Sequence, residues 1–450
     1  MPSSRRIPPV LVLLDVATVL LLFNGVGWLR GVININDWIV LPLLVPFILL
    51  TTSFYLIDGY KPQTDMIGLD YTSEHLIATV AALIGTILLT FVVIPSGYPL
   101  QQSRAVITFS FLAAMPVTLA YRRAIATRSL RNREGRNLVF VGDDATCATF
   151  AEECKRMGFK QPVVNASAAT SPAVSLAPFR SVLNLLEDDK LDVEAIVLRE
   201  GNRDFSPDLS QRLVGLYFRG IPTYTLELFH QVYWRKIPLY RLNQTWLFQE
   251  GFQIAREPVF ERLKRLSDIG LSSFALIFGS PLFLLIAAAI WMEDRQSVLF
   301  RQVRIGRNRV PFNLFKFRTM RVHATGSAYT GSDDKRITRI GKFLRSSRLD
   351  ELPQMLNVLR GEMSLIGPRA EWDRLVHDYE ARIPCYHFRH LVKPGITGWA
   401  QVNYPYGASL EDTERKLEYD LYYIRHFSFV LDASIVLKTI HIMLFGKGAR

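Results

Sequence analysis

Long apolar stretches alternate with polar segments in the first quarter of the chain, and this pattern predicts membrane helices. The stretches cover about residues 9–28, 38–57, 75–95 and 105–121. Each approaches the roughly 20 residues that an α-helix needs to cross a bilayer. The first lacks the small-residue cleavage site of a signal peptide, and three more follow it. We therefore predict a four-helix transmembrane block over residues 1–125.

Charged residues around these stretches predict their orientation. Arginines precede the first stretch and cluster after the fourth, whereas the two short loops on the opposite side carry one each. Under the positive-inside rule both ends of the block are cytoplasmic, which requires an even number of spans. Asp15 lies within the first span, where an acid is either functional or a polar contact between helices. The polar contact is the favoured interpretation.

Between residues 126 and 250 the pattern changes to short apolar runs that alternate with amphipathic segments. Strands are predicted at 137–142, 193–198 and 221–226, and helices from about 144 to 158 and from 206 to 220. This alternation predicts a Rossmann-like domain with a parallel sheet. After the first strand Gly142 is followed by two acids, in place of the G-x-G-x-x-G that binds a dinucleotide. We expect a cofactor-free domain with a scaffold or regulatory role.

A further apolar stretch, residues 269–291, is long enough to span a bilayer but has strongly basic flanks on both sides. The same rule then keeps both flanks in the cytoplasm, so the helix must bend. Ser280 and Pro281 lie at its midpoint, where proline removes a backbone hydrogen bond and the serine hydroxyl can satisfy the freed carbonyl. We predict a re-entrant helical hairpin, and the alternative is a straight fifth span.

Composition limits the kinds of molecule that this chain is expected to bind. The net charge is +12, which is compatible with nucleic acid, anionic lipid or phosphorylated substrates. The apolar stretches favour the last two, so we predict no nucleic-acid partner. Three cysteines are too few and too scattered for a disulfide framework or a zinc site, which indicates a reducing compartment.

The last third of the chain combines basic residues with a carboxylate pair. The run "LFKFRTM" predicts a strand that displays Lys316 and Arg318 on one face. Further basic residues then lead to Asp350 and Glu351. Such a cluster beside a membrane hairpin indicates a site for a phosphorylated ligand. One acid can act as a nucleophile on phosphorus while the other binds Mg²⁺.

Four linked motifs resemble the bacterial sugar transferases, the monotopic phosphoglycosyl transferases. They are "LFKFRTM", "RITRIGKFLRSSRLDELPQMLNVLRGEMSLIGPR", "VKPGITGWAQVN" and "EYDLYYIRHFSFVLDASIVLKTI". The likeness covers roughly residues 256–450, and the preceding block and Rossmann-like domain resemble the long-form members. The resemblance implies transfer of a hexose 1-phosphate from a UDP-sugar to undecaprenyl phosphate, with release of UMP. It also implies a small α/β catalytic domain over residues 251–450.

The resemblance also implies roles for individual residues. Asp350 maps to the family's covalent nucleophile and Glu351 to its Mg²⁺ ligand. We expect four basic residues to bind substrate phosphate, namely Lys316 and Arg318 of the Lys-Phe-Arg motif, Arg345 and Arg369. The remaining matches are Ser280 and Pro281 of the hairpin kink, and Lys264, Arg265 and Asp268 at the start of the hairpin.

Two positions depart from the family pattern. The family's Pro-Arg-Pro is here Pro368-Arg369-Ala370, which predicts a looser turn. The Asn-Gly-Arg that many members carry after Gln-Val is absent, so its phosphate-binding arginine is missing. Arg382 or Arg389 is expected to substitute for it.

The sequence therefore predicts an enzyme of the bacterial inner membrane with its catalytic domain on the cytoplasmic face. Its expected partners are a UDP-sugar, undecaprenyl phosphate, membrane lipid and a second copy in a homodimer. One alternative is a membrane-anchored nucleotide-sugar dehydratase, which needs G-x-G-x-x-G and Tyr-x-x-x-Lys, and both are absent. The other is a non-catalytic scaffold or regulator of polysaccharide assembly.

Overall fold

The protein consists of two compact units, Met1–Phe229 and His230–Arg450. The computed structural model describes residues 7–34, 36–61, 64–94, 99–131, 136–166, 177–188, 190–199, 207–241, 258–321, 336–404, 407 and 409–445. The predicted boundary at residues 250 and 251 lies outside these residues. The three-domain division stays a prediction, although residues 230–241, assigned by sequence to the middle domain, belong to the second unit.

Each apolar stretch near the N-terminus forms a helix. These helices are α1 Ile7–Leu29, α2 Leu44–Leu56, α3 Leu69–Leu88 and α4 Arg104–Arg131. α1, α3 and α4 are long and apolar enough to cross a membrane, whereas the apolar helix at Leu41–Leu56, which contains α2, is shorter. Apolar side chains of all four helices share one buried cluster.

A buried polar cluster joins the helices of this block. Asp15 on α1 is fully buried and accepts hydrogen bonds from Arg122 on α4, at 2.7 and 2.8 Å. The hydroxyl groups of Tyr60 and Tyr121 also donate to Asp15. The polar contact predicted for Asp15 is therefore confirmed, and Arg122 belongs to the interior of the block.

The rest of the first unit is a parallel α/β layer, as predicted. Its elements are β1 Asn137–Val141, α5 Asp144–Arg156, β2 Val163–Asn165, α6 Ala177–Glu187, β3 Val193–Leu198, α7 Pro207–Phe218, β4 Thr223–Thr225 and α8 Leu226–Phe229. The strand order is β2-β1-β3-β4, and every pairing is parallel. Asp143 caps α5 by accepting a hydrogen bond from Thr146 N at 2.9 Å, and its carboxylate pairs with Arg199.

Two predictions for this layer were incomplete. β2 was missed, because three residues are too short to show alternation. The strand predicted at 221–226 is shorter, since the chain turns into α8 at Leu226.

The second unit begins with a short segment, residues 230–241, and its long helix is α9 (Pro258–Asp294). Its elements are α9 Pro258–Asp294, β5 Leu299–Ile305, β6 Pro311–Phe317, α10 Arg339–Ser346, α11 Gln354–Arg360, β7 Ser364–Ile366, α12 Asp373–Arg382, β8 Gly395–Thr397, α13 Trp399–Asn403, α14 Leu410–Arg425 and α15 Phe429–Phe445. β5 and β6 form an antiparallel pair, and β7 and β8 a parallel one. The unit is therefore a small α/β domain joined to one long apolar helix.

The core of the second unit forms around α14. Leu417, Leu421 and Ile424 of this helix are all buried in it. Tyr419 and Tyr423 are also buried in this core.

α9 combines an apolar surface with a proline in its interior. Side chains such as Phe278, Leu284 and Leu285 are about two-thirds or more exposed. Ser280 Oγ donates to Ile277 O at 2.8 Å, and this is the carbonyl that Pro281 leaves without its usual amide donor. The hydrogen bond predicted for Ser280 is therefore confirmed.

Candidate active site

The two neighbouring acids lie on a short 3-10 turn, Leu349–Glu351, between α10 and α11. Arg348 enters this turn with φ +56°, a left-handed conformation that costs free energy for a non-glycine residue. β6 ends beside the turn and contributes Lys316, while the segment after β7 contributes Arg369. Two elements that are distant in the chain therefore converge on the turn that carries the pair.

Glu351 is fixed by two cations. Its Oε1 accepts hydrogen bonds from Lys316 Nζ at 3.2 Å and from both terminal nitrogens of Arg369 at 3.4 Å. Burial alone would raise the pKa of the Glu351 carboxyl, but the Lys316 and Arg369 charges outweigh it and lower that pKa to about 2. Glu351 is therefore ionised at neutral pH.

The carboxylate of Asp350 has different surroundings from that of Glu351. Within the described part of the chain, its carboxylate takes part in no hydrogen bond or ion pair. Burial raises the pKa of the Asp350 carboxyl, an effect opposed by Lys316, Arg345 and Arg369 and reinforced by the charge of Glu351. A half-buried carboxylate without committed hydrogen bonds, surrounded by cations, is suited to attack an electrophile that carries negative charge.

The turn that carries Arg369 is held by two arginines. Arg389 donates to Arg369 O at 2.9 Å, and Arg304 donates to Ala370 O at 3.0 Å. A side chain at Gly367 would meet Lys393 O at 2.4 Å, so only glycine fits there. These contacts hold the turn in place without the second proline of the family pattern.

Arg318 and Arg345 have protein partners beside the pair. Arg318 is buried and forms a two-bond ion pair with Asp294 at the end of α9, with one nitrogen–oxygen distance of 2.8 Å. Arg345 Nε donates to Thr319 Oγ1 at 2.9 Å, and its charge acts on Asp350. Arg345 therefore borders the acid pair, whereas Arg318 links β6 to α9.

The two candidates for the missing arginine differ in position. Arg382 is exposed and pairs with Asp378 on its own helix. Arg389 is buried, pairs with Asp420 at 3.0 Å and contacts the backbone of Arg369. Arg389 therefore lies behind Arg369 as a support, while Arg382 makes no contact with the pair.

The three polar residues at the start of α9 anchor the helix to the domain. Lys264 pairs with the buried Asp432 of α15. Arg265 donates to Val358 O and, at 2.6 Å, to Leu359 O, which are carbonyls in the last turn of α11. Asp268 accepts from Ser364 Oγ at 3.1 Å and from Leu365 N at 3.0 Å.

The carboxylates fit a magnesium ion that is held partly by substrate. Among the described residues no group of three or more His, Cys, Asp and Glu side chains is arranged to hold a metal. Mg²⁺ commonly takes only one or two carboxylates and completes its shell with substrate phosphate and water. The described contacts of Glu351 all fall on Oε1, so Oε2 remains for a metal. Mg²⁺ binding itself stays a prediction.

Sequence reasoning did not find Asp294, Thr319 and Asp420 as partners of the arginines. Burial raises the pKa of the Asp420 carboxyl to about 6, against the opposing charge of Arg389. An acid at a core position of the amphipathic α14 was the available signal for Asp420, because a buried acid needs a partner.

The fold and the site together define a membrane-associated protein with a carboxylate pair surrounded by basic side chains. The model of the family "bacterial sugar transferase" matches residues 259–446. A UDP-N-acetylgalactosamine-undecaprenyl-phosphate N-acetylgalactosaminephosphotransferase of Aeromonas hydrophila is 36% identical over 62% of this chain and 69% of its own length. The chain therefore belongs to the bacterial sugar transferase family, and its identification as an enzyme of this class is confirmed.

Other relatives match a smaller share of this chain. A UDP-glucose:undecaprenyl-phosphate glucose-1-phosphate transferase of Klebsiella pneumoniae is 45% identical over 41% of each chain. The exopolysaccharide production protein PSS of Rhizobium leguminosarum bv. phaseoli is 40% identical over 41% of this chain and 98% of its own length. This chain thus covers less than half of the Klebsiella protein and nearly all of the Rhizobium one.

Proposed function

We propose that this protein transfers a hexose 1-phosphate from a UDP-sugar to undecaprenyl phosphate and releases UMP. The arrangement of Asp350 and Glu351 among Lys316, Arg345 and Arg369 carries the proposal. The relatives named for this transfer support it, and the naming of one for exopolysaccharide production supports a place at the start of repeat-unit assembly.

In the first step, a carboxylate oxygen of Asp350 attacks the phosphorus next to the sugar. The bond between this phosphorus and the bridging oxygen of the diphosphate breaks, and that oxygen leaves with its electron pair as part of UMP. The product is an acyl phosphate between Asp350 and the sugar phosphate. Lys316 and Arg369 balance the negative charge that develops around the phosphorus.

In the second step, a phosphate oxygen of the lipid attacks the same phosphorus, and the Asp350 carboxylate leaves unchanged. Donor and acceptor are both anions and repel each other. A covalent intermediate lets them react one after the other, so that they never occupy the site together. Mg²⁺ bound at Glu351 and substrate phosphate would neutralise charge on the transferring group.

We also propose that α9 is a re-entrant hairpin. Arg265 contacts α11 at Val358, while Ile286 and Ile290 pack in a cluster that includes Leu352. Arg265 and Ile286 would be about 31 Å apart on a straight helix, whereas Leu352 and Val358 are separated by about 10 Å in helical geometry. A bend at Pro281 accounts for both contacts while the apolar middle of α9 stays exposed for lipid.

This hairpin keeps the catalytic domain on one side of the inner membrane, which we propose is the cytoplasmic side. A cysteine placed near the C-terminus should resist membrane-impermeant maleimide in intact cells and react after permeabilisation. Labelling in intact cells would mean a straight span and a periplasmic active site, which no cytosolic donor could reach.

The function itself is tested with the purified chain, undecaprenyl phosphate, Mg²⁺ and a panel of UDP-sugars. One or a few UDP-sugars should release UMP and form the lipid diphosphate sugar in equal amounts. An intact-mass measurement with donor alone should show the sugar-phosphate adduct. No UMP release with any member of the panel would contradict the proposal.

A further inference from the structure

A short segment that precedes residues 259–446, the part matched by the family model, packs within the second unit. Residues 230–241 contain a π-helical turn, His230–Trp234, and a 3-10 turn, Leu239–Arg241. We call these residues the strap. The strap precedes the matched residues 259–446, yet Ile237 is fully buried in the core cluster of the second unit, together with Trp399 and Ile424.

The strap is bound to α14 and α13 by polar contacts as well. Lys236 and Glu418 form an ion pair at 3.1 Å with both side chains buried, and Ile237 N donates to Glu418 O at 3.0 Å. Trp399 Nε1 donates to Arg235 O at 2.9 Å. A buried ion pair costs desolvation and fixes geometry, so its residues must stay in register with each other.

From α14 the contacts continue to the acid pair. Asp420, which lies two residues after Glu418, pairs with Arg389 at 3.0 Å. Arg389 donates to Arg369 O at 2.9 Å, and the Arg369 side chain donates to Glu351. Each link joins buried or half-buried groups, which have little freedom to move independently.

We propose that the strap is a positioning element for substrate binding, which acts through α14 and Arg389 to set the place of the Arg369 guanidinium. The positioning residues are Lys236 of the strap and Trp399 of α13, which binds the strap through Arg235 O. This inference rests on the proposed function, because Arg369 binds donor phosphate there.

Two substitutions in the full-length chain test the strap. Trp399→Phe removes the hydrogen bond to Arg235 O and keeps an aromatic ring. Lys236→Met removes the buried cation and keeps an apolar stem of similar length. Matched controls are Trp28→Phe and Lys190→Met, at exposed positions of the first unit. Lys236→Arg tests rescue by a residue of the same charge.

The informative measurement is the KM for the UDP-sugar, with kcat corrected for the amount of folded enzyme. Trp399→Phe should raise KM about three- to tenfold, the usual effect of one lost hydrogen bond, and Lys236→Met at least as much. Lys236→Arg should recover part of this loss. A purely structural role would lower the amount of folded enzyme and leave KM unchanged.

A double-variant comparison with Arg369→Lys tests the proposed route. If the strap acts through Arg369, adding Trp399→Phe to Arg369→Lys should raise KM by less than it does in the wild type. Unchanged KM, fully additive effects, or loss of folded protein in both the Lys236→Met and the Trp399→Phe variants would each overturn the inference. A wild-type chain that releases no UMP would instead refute the proposed function.

Discussion

At the scale of single residues, two adjacent carboxylates receive opposite environments. Glu351 is bound by Lys316 and Arg369 and stays ionised, whereas Asp350 is shielded by burial and has no described hydrogen bond. Adjacent residues on a 3-10 turn point about 120° apart, which allows this division. Glu351 can therefore stay ionised and fixed by its cations while Asp350 reacts.

Asp350→Asn should abolish turnover, since an amide cannot form the acyl phosphate. We expect a loss of at least about 10³-fold in UMP release, with an unchanged melting temperature. Asp378→Asn, at an exposed acid on α12, is the matched control and should be fully active. Near-normal turnover of Asp350→Asn would remove Asp350 from its role.

The pH dependence of UMP release should reflect the ionisation of the Asp350 carboxyl. Because burial raises the pKa of its carboxyl, the nucleophile becomes protonated at a higher pH than an ordinary aspartate, and kcat/KM falls as pH falls through that value. Lys316→Met removes the cation that opposes this shift, so the acid limb should move to higher pH. An acid limb that stays in place would contradict the assignment.

Arg122→Met should destabilise the first unit. The change leaves the fully buried Asp15 without its cation, and loss of one partner of a buried ion pair typically costs about 3–5 kcal/mol. Thermal unfolding in detergent measures the effect, with Arg128→Met as an exposed control on the same helix. Equal melting temperatures for the two variants would contradict this prediction.

At the scale of elements, α9 joins the proposed membrane segment to the elements around the acid pair. Its first turns are bound to α11, β7 and α15, and its last residue pairs with Arg318, which follows β6. Along the chain, the acid pair lies between Arg318 and α11, which are two of these partners of α9. If α9 enters the bilayer as proposed, its depth there sets the depth of the site.

Pro281→Leu should favour a straight helix, because it restores an amide donor to Ile277 O and removes the ring clash. We expect a fraction of the molecules to expose a C-terminal cysteine outside intact cells, and UMP release should fall in proportion. Ser280→Ala keeps the proline and serves as the control. Wild-type topology and activity in Pro281→Leu would contradict the hairpin.

At the scale of the whole molecule, two compact units share one chain, and the family match lies in the second. The Rhizobium relative is matched over 98% of its own length by 41% of this chain. The homodimer expected from the sequence stays a prediction.

Chelation should stop turnover of the intact protein if Mg²⁺ is required. EDTA should abolish UMP release, and added Mg²⁺ should restore it. Glu351→Gln should raise the Mg²⁺ concentration needed for half-maximal rate, because one charged ligand is lost. Full activity in excess EDTA would contradict the magnesium prediction.

Much of the fold follows from local patterns. Apolar runs of about 20 residues, the alternation of strands and helices, and the Ser280–Pro281 pair are each read from residues that are contiguous in the chain, so the sequence predicts them. Asp350, Glu351 and Lys316 were also found from sequence, since their motifs are contiguous. The pairing of Arg318 with Asp294 joins residues 24 positions apart and required the structure.

The sequence by itself determined the apolar helices, the parallel sheet and the candidate residues for the chemistry, because those depend on side-chain type and short spacing. Only the tertiary structure decided which cations meet Glu351, that Arg389 supports Arg369 from behind, and that the strap belongs to the catalytic unit. Those contacts join distant segments, and their free energy depends on burial, which no local pattern contains.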